Sequence, residues 1–370
     1  MRFCDWFRAC FCIAMLIGLP LAGIRAAGSD IGPYLEFPPV TRYVSHAPFS
    51  RVAFLFIAAL DLLMLFGIVL LLKKSKPKRH PAAAEKGTSF PYWGWWGVLI
   101  MLAGWVLAWT RLHGFEPLQE HTFCIPWAGY ILFVNALCRK RSGSSLLTDA
   151  PGKFAMLFPA SAIFWWFFEY LNRFVQNWYY VQVGDFSPAG YTLLASMAFS
   201  TVLPAVLSTH RLLLTFDMFN SRLTGGPVVH FPRGRMPAVM ALSAAAAGLT
   251  LIGIYPDYLY PLVWFAPLLI IVSLQSLWAQ TTLLTDLRGG DWRLIVPPAC
   301  AALICGFFWE MWNFYSLTRW EYTIAFVERY HIFAMPLLGY GGYLPFGLEC
   351  VVLGQLVIGD EALKRGINHA

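Results

Sequence analysis

Charged side chains are scarce in this chain. Only 13% of its 370 residues are Asp, Glu, Lys or Arg, whereas soluble domains carry about 25%. Hydrophobic residues make up 58% of the chain, above the usual ~45–50%. A soluble globule cannot bury this much apolar surface. The composition therefore excludes disordered protein, coiled coil and collagen, and it predicts an integral membrane protein.

Several motifs of known chemistry are also missing. The eight cysteines form no Cys-x-x-Cys pair, and most of them fall in apolar segments. We interpret them as buried apolar side chains rather than disulfides or metal ligands. The chain has no Walker loop, no His-Glu-x-x-His and no Gly-x-Ser-x-Gly motif. These absences disfavour an ATP-driven pump, a zinc metalloprotease and a serine hydrolase, and the sequence indicates no particular cofactor.

Long apolar runs are what the chain does contain. A transmembrane helix needs roughly 20 mostly apolar residues. Residues 1–27 have the basic start and apolar stretch of a signal peptide, and the sequence leaves open whether they are cleaved or form an uncleaved anchor helix. We predict an all-α integral membrane protein with nine to ten transmembrane helices. The nine main segments are residues 52–72, 93–112, 122–137, 154–176, 190–214, 237–255, 259–279, 294–316 and 335–358.

The basic residues predict an orientation. Six Lys or Arg residues crowd between positions 73 and 86, which is typical of a cytoplasmic loop. Alternation of the spans then places 20 of the 27 basic residues in the cytoplasm. This predicts a bacterial inner-membrane protein with a cytoplasmic C terminus. The net charge of +7 then comes from basic residues on the cytoplasmic side of the membrane. We therefore expect the lipid bilayer as partner, and no nucleic acid. The oligomeric state stays open.

The chain also repeats itself internally. The matches keep the same order with small drifts in spacing, which predicts a duplication. The matched residues are Leu-Leu-Thr-Asp at 146–149 and 283–286, Phe167, Glu169 and Asn172 with Phe308, Glu310 and Asn313, Leu-Pro at 203–204 and 344–345, and Trp178 and Tyr180 with Trp320 and Tyr322.

Each predicted repeat holds four helices, over residues 93–214 and 237–358. An even number of spans gives both copies the same orientation, so we expect parallel repeats related by an axis along the membrane normal. Outside the repeats lie residues 28–92, which hold an outer segment, an extra helix and the basic loop. A cytoplasmic linker at 215–236 and a cytoplasmic tail at 359–370 complete the predicted organisation.

One Glu–Asn pair lies in the third helix of each repeat. Glu169 with Asn172, and Glu310 with Asn313, are spaced to share one helix face. Ionisable groups within spans are costly, and each is a functional hypothesis. Glu169 has Arg173 at i+4, a good ion-pair spacing, which suits a fixed charge. Glu310 has no such cation and is the better proton donor. The alternative is that both pairs only hold helices together through hydrogen bonds.

Other polar or aromatic residues complete the candidate site. Glu349, near the middle of the last span, is the third catalytic candidate after Glu310 and Glu169. The candidate substrate-binding residues are polar groups near the pairs, interface aromatics, and two residues of the loop 113–121. That loop holds two His and two Glu, but their spacing fits no standard metal site, so we predict none. The binding candidates are Asn172, Arg173, Asn313, Trp178, Trp320, Tyr322, His121 and Glu116.

The end of the second repeat resembles known isoprenoid enzymes. A helix carries Glu310, a Trp-x-Tyr pair follows at Trp320 and Tyr322, and Pro336 opens the next helix. This order resembles the small membrane lycopene cyclases and carotenoid hydratase-type proteins. The resemblance implies two related halves and acid-initiated chemistry on a polyene, with membrane carboxyls as proton donors. The cyclase motif has acidic residues after the proline, where this chain has two leucines.

A second resemblance concerns residues 309–322 and 336–349. They are similar to an uncharacterised family of bacterial multi-pass membrane proteins, and this similarity implies no activity.

Three functions follow as hypotheses. The first is an intramembrane enzyme acting on an isoprenoid or another lipid, in which aromatic faces stabilise positive charge. The second is a transporter or channel with parallel repeats and a proton- or solute-binding Glu. The third is an assembly or scaffold subunit of the membrane. The enzyme would use a lipid or isoprenoid, and the transporter a small solute.

Overall fold

The computed structural model describes residues 3–39, 41–76, 88–232, 234–360 and 362–363, and it is mostly helical there. Most of the basic loop and the tail lie outside these residues. The long helices are α1 (Phe3–Ala26), α2 (Arg51–Lys74), α3 (Tyr92–Trp109), α4 (Cys124–Ser142), α5 (Pro151–Val175), α6 (Pro188–Phe199), α7 (Val202–Leu213), α8 (Met236–Leu251), α9 (Leu262–Leu277), α10 (Val296–Phe314) and α11 (Tyr343–Ile358).

A helix occupies each of the nine predicted segments, but fewer helices are clear membrane spans. Among the described residues, six helical segments are both long and apolar enough to cross a membrane. Helices α8 and α9 are apolar but shorter, with 16 residues each. The six are Trp6–Ala26, Arg51–Lys74, Tyr92–Trp109, Pro151–Val175, Pro188–Leu213 and Leu337–Ile358.

Helix α1 packs tightly into the bundle. Ile24 is buried in the core at 3% exposure. Gly23 lies against the backbone of Thr250 in α8, so closely that a β-carbon at this position would overlap the Thr250 carbonyl. The Tyr170 hydroxyl in α5 donates a hydrogen bond of 2.5 Å to the Ile17 carbonyl. These contacts place one face of α1 against α5 and α8.

The fifth predicted segment, residues 190–214, is two helices, because Pro204 interrupts it. Proline has no N–H and its ring displaces the preceding turn, so α6 ends at Phe199 and α7 begins at Val202. The Ser161 hydroxyl in α5 donates to the Phe199 carbonyl at 2.6 Å and accepts from the Leu203 N–H at 3.0 Å. A buried hydroxyl thus satisfies the backbone groups that the break exposes.

Two short antiparallel strand pairs, which the all-α expectation did not include, lie among the connections. They are β1 (Trp178–Val181) with β2 (Arg319–Tyr322), and β3 (His331–Ile332) with β4 (Met335–Pro336). In the first pair, Trp178 opposes Tyr322 and Tyr180 opposes Trp320. The pairing is therefore two-fold symmetric in the matched Trp-x-Tyr residues. We call this end of the molecule the strand end.

The connections sort onto two ends of the bundle. At the strand end, a segment between α1 and α2 crosses both strands, where His46 Nδ1 lies 2.6 Å from Asp257 Oδ1. At the opposite end, Arg141 donates to Thr215 at 2.7 Å, and the Gly226 N–H donates to the Gly290 carbonyl at 2.9 Å. These contacts thus join loops within each of the two groups.

Candidate functional site

A cavity of about 380 Å³ lies where the strands meet α5, α6 and α10. This volume is within the ~300–1,000 Å³ usual for ligand pockets. The part of α6 before the break and the segment from Met335 to Tyr343 both contribute to its wall. The wall is strongly aromatic. Its tryptophans are Trp165, Trp178, Trp264, Trp309 and Trp320, and its tyrosines are Tyr180, Tyr191, Tyr322 and Tyr343.

Glu169 lies behind this wall and is 1% exposed. Its Oε1 accepts hydrogen bonds from Trp165 Nε1 at 3.1 Å, Trp178 Nε1 at 3.0 Å and the Tyr180 hydroxyl at 2.7 Å. All three donors line the cavity. Three hydrogen-bond donors on one oxygen favour the ionised carboxyl, whereas its complete burial opposes ionisation.

Glu310 occupies the corresponding position behind the other side of the wall and is fully buried. Its Oε1 accepts from the hydroxyls of Tyr322 at 2.7 Å and Tyr343 at 2.9 Å, and both tyrosines line the cavity. Trp320 Nε1 donates to the Tyr322 hydroxyl at 2.8 Å. Glu310 Oε2 is buried and has no hydrogen-bond partner among the described residues.

A difference in side-chain size at two pairs of corresponding positions explains why Glu169 and Glu310 have different hydrogen-bond donors. At the offset of 141, Trp165 corresponds to Gly306, and Val202 corresponds to Tyr343. Gly306 packs against the Tyr343 ring, so closely that a β-carbon would overlap it. The missing side chain at 306 therefore makes room for the tyrosine that reaches Glu310. Around Glu169 the large residue is Trp165, and it supplies the corresponding donor.

The two asparagines hold the strands in place. Asn172 Nδ2 donates to the Trp178 carbonyl at 2.8 Å, and Asn313 Nδ2 donates to the Trp320 carbonyl at 2.8 Å. The same amide oxygens accept from strand N–H groups, including that of Trp320 at 2.9 Å. These asparagines thus position the cavity-lining tryptophans and do not line the cavity themselves.

Arg173 does not pair with Glu169 as its spacing suggested. Its guanidinium donates instead to the backbone carbonyls of Pro33 and Glu36, in the segment that crosses the strands. The i+4 spacing puts the two side chains on the same face of α5. The Glu169 carboxyl, however, accepts its hydrogen bonds from indole and phenol groups. Arg173 consequently fastens the crossing segment to α5.

The strand tyrosines stay protonated near neutral pH. Burial raises the pKa of the Tyr180 and Tyr322 hydroxyls well above the ordinary value, and the adjacent carboxyls Glu169 and Glu310 raise it further. A protonated hydroxyl can donate to a carboxyl or to a molecule in the cavity. The two strands therefore deliver hydrogen-bond donors to the cavity wall.

Glu349 lies apart from this cavity. It is 1% exposed, and neither carboxyl oxygen has a hydrogen-bond partner among the described residues. It lies on α11 against the backbone of Leu268 in α9, and the side chains of Leu268 and Val352 there are apolar. The three candidate carboxyls therefore divide into two behind the cavity and one isolated among aliphatic side chains.

The polar part of the wall comes from the loops of the strand end. His121 and Glu120 line the cavity, and the His121 ring packs 5.5 Å from the ring of Phe186. Arg319 also lines it and forms an ion pair of 2.8 Å with Glu321. The Glu116 side chain lies outside the described residues. Within the described part of the chain, no cluster of three His, Cys, Asp or Glu side chains is arranged to hold a metal ion.

Sequence reasoning missed several wall residues. Trp165, Trp309 and Tyr343 contact the carboxyls or line the cavity, but none belongs to the repeated motifs. Trp165 and Tyr343 differ between the copies because they exchange size with Gly306 and Val202. A search for two positions, one at which the first predicted repeat has the larger residue and one at which the second has it, would have found Trp165 and Tyr343.

Comparisons with known proteins add no family. No protein-family model matches the chain, and neither the curated proteins nor the solved structures contain a significant match to it.

Proposed function

We propose that this protein is an intramembrane enzyme that binds an isoprenoid or another lipid in the aromatic cavity and protonates it. The observation that carries the proposal is the contact of 2.9 Å between Glu310 and the Tyr343 hydroxyl on the cavity wall. It connects a buried acid to the space where a substrate would lie. The resemblance to membrane cyclases supports the same chemistry.

The neutral acid fits the surroundings of Glu310. An ionised carboxylate would leave Oε2 charged and without a donor in a buried site, which is costly. Glu169, with three donors on one oxygen, suits the anion better. The pair thus divides into an acid and a fixed charge, an arrangement found where two carboxyls have different catalytic roles.

The proton transfer balances without a cofactor. In the reacting form the acid proton lies on Glu310 Oε1, and the Tyr343 hydroxyl hydrogen is turned towards the cavity. Glu310 then gives its proton to the Tyr343 oxygen, and the Tyr343 hydroxyl gives its own proton to one carbon of an alkene. The alkene π electrons form the new C–H bond, and the adjacent carbon becomes positive. Glu310 remains as a carboxylate. Loss of a proton from a carbon next to the cation then restores an alkene and the acid, and the net reaction is a double-bond isomerisation. If a second double bond of the same molecule first attacks the cation, a C–C bond forms, the positive charge moves to the far carbon of that double bond, and the same proton loss completes a cyclisation.

Substitution of Glu310 by Gln tests this proposal. Glutamine keeps the shape and the hydrogen-bond acceptor but supplies no acid proton, so we expect product formation to fall about 100-fold or more. The measurement is the lipid and pigment content of cells that lack the gene and carry wild-type or variant copies. Glu36→Gln neutralises an exposed carboxyl and serves as control. Identical extracts from the deletion strain, the wild type and Glu310→Gln would refute the enzyme.

A transporter is the second candidate, and Glu349 is the observation that favours it. A buried carboxyl without a described partner, in a bundle with a broken helix, is a feature of proton- or solute-coupled carriers. Solute or proton flux into liposomes that contain the purified protein decides between the two. A flux that Glu349→Gln abolishes supports the carrier, and no flux with any substrate gradient counts against it.

We also propose the finer membrane topology. Ten crossings, two parallel repeats and a cytoplasmic C terminus in a bacterial inner membrane account for the grouping of the loops. The two-fold pairing of β1 with β2 supports the duplication, because corresponding residues oppose each other across a symmetric register. The exchange of Trp165 and Val202 for Gly306 and Tyr343 supports it as well. The close packing of α1 supports its retention as the tenth helix.

A further inference from the structure

The wall of the cavity presents aromatic faces in unusual number. Twelve of its side chains are aromatic, five of them tryptophan. Trp309 packs 6.3 Å from Trp165 and 5.8 Å from Tyr343, so the rings form a continuous surface. The face of an aromatic ring carries partial negative charge and attracts cations, most strongly when water is excluded.

In the proposed function the group behind the wall, Glu169, carries a negative charge. Glu169 stands behind Trp165, Trp178 and Tyr180 and is held there by their hydrogen bonds. Among the described residues, Arg319 is the one Arg or Lys on the wall, and Glu321 neutralises it. A positive centre in the cavity therefore meets aromatic faces and a buried carboxylate, and little repulsion.

Helix α6 lies between the cavity and the outer surface of the bundle. Met197 of α6 lines the cavity and is at the same time 52% exposed. It belongs to the helical segment Pro188–Leu213, which is long and apolar enough to span the membrane. A molecule with an apolar chain can therefore enter beside α6 without crossing water.

We infer that the cavity binds a positive charge, that of an alkylammonium group carried on an apolar chain. The inference rests on the cavity of the proposed function but not on turnover. By the same chemistry the cavity would stabilise the carbocation of the proposed reaction, and an ammonium compound of that shape would mimic it.

Matched probes test the inference on the purified full-length protein in neutral maltoside micelles. Dodecyltrimethylammonium is compared, at equal mole fraction in the micelle, with the neutral hydrocarbon in which carbon replaces nitrogen. Binding is followed by tryptophan fluorescence and by the rise in the thermal unfolding midpoint. We expect the ammonium compound to half-saturate the protein at an approximately ten-fold lower mole fraction. Equal binding of the two probes would overturn the inference.

Variants separate the cavity from general adsorption. Trp309→Phe and Glu169→Gln should each reduce the preference for the ammonium compound several-fold. Trp95→Phe, which changes a 62% exposed tryptophan on α3, should leave it unchanged. A preference that survives both cavity substitutions would place the binding elsewhere and refute the inference. The charge of +7 on the protein opposes non-specific cation binding.

A third probe distinguishes the source of the ammonium group. Tetramethylammonium binding as strong as that of the dodecyl compound indicates a small solute, and binding of the dodecyl compound alone indicates a lipid. The first result would overturn the apolar chain of the inference, and the second supports it. If extracts from cells change with Glu310→Gln but the ammonium preference is absent, the enzyme stands and this inference fails. The reverse result leaves a cation-binding protein without the proposed catalysis.

Discussion

Glu169 and Glu310 are matched in the sequence, but different neighbouring side chains donate hydrogen bonds to them. Both carboxyls are buried, and both accept hydrogen bonds from residues of the cavity wall. The sequence difference that decides their surroundings is not at the carboxyls but at Gly306 and Tyr343. A side chain at position 306 would displace the tyrosine that links Glu310 to the cavity.

Gly306→Ala tests this packing. The new β-carbon would overlap the Tyr343 ring, so we expect a loss of about 1–3 kcal/mol in unfolding free energy, seen as a lower thermal midpoint in micelles. Gly67→Ala in α2 is the matched control, because nothing lies within 4 Å of a β-carbon there. It should leave stability unchanged or raise it by up to ~1 kcal/mol.

The double substitution Gly306→Ala with Tyr343→Val tests the cause of that loss. Valine is the residue at the corresponding position 202, and it removes the ring that the β-carbon would strike. We expect the thermal midpoint to recover towards that of Tyr343→Val alone. A double variant as unstable as the sum of the two single changes would contradict the proposed contact.

At the scale of elements, the break between α6 and α7 creates part of the cavity. Pro204 interrupts the helix, Ser161 satisfies the freed backbone groups, and α6 then lines the cavity. In the second repeat the matched Pro345 lies in the first turn of α11, after a 3₁₀ segment, Leu337–Gly342, that also contributes to the wall. The repeated Leu-Pro motif thus places an irregular segment on both sides of the site.

Helix α1 carries the next prediction. We expect the purified protein to retain residues 3–26, because α1 contributes Ile24 to the core and packs against α8. Gly23→Leu should lower the thermal midpoint strongly, since its side chain would overlap the Thr250 carbonyl. Gly18→Leu, on the same helix with open space around it, is the control. An N-terminal peptide that starts near residue 28 in mass spectrometry would contradict retention.

At the scale of the whole molecule, β1 and β2 connect the two halves of the chain. Opposed residues in an antiparallel pair have α-carbons about 4.5–5.5 Å apart, within the range that a disulfide spans. Tyr179 and Glu321 oppose each other, and their side chains are joined by a hydrogen bond of 2.9 Å. We expect the double variant Tyr179→Cys with Glu321→Cys to form a disulfide in cells, because the strand end faces the oxidising side in the proposed topology.

The measurement is the electrophoretic mobility of the protein with and without reductant, with each single cysteine variant as control. A disulfide that forms only after an oxidant is added would support the strand register and contradict the orientation. Failure to form under any condition would contradict the register itself.

The amino-acid sequence by itself determined the membrane character, the positions of the helices and the matched Glu–Asn pairs. These depend on local composition and spacing, which hold wherever the chain folds. Only the tertiary structure decided that Arg173 binds a crossing segment and that Glu349 stands apart from Glu169 and Glu310. It also decided that Tyr343 reaches Glu310, 33 residues earlier in the chain. Such contacts depend on how segments that are distant in the chain pack against each other, and a local sequence pattern carries no information about that packing.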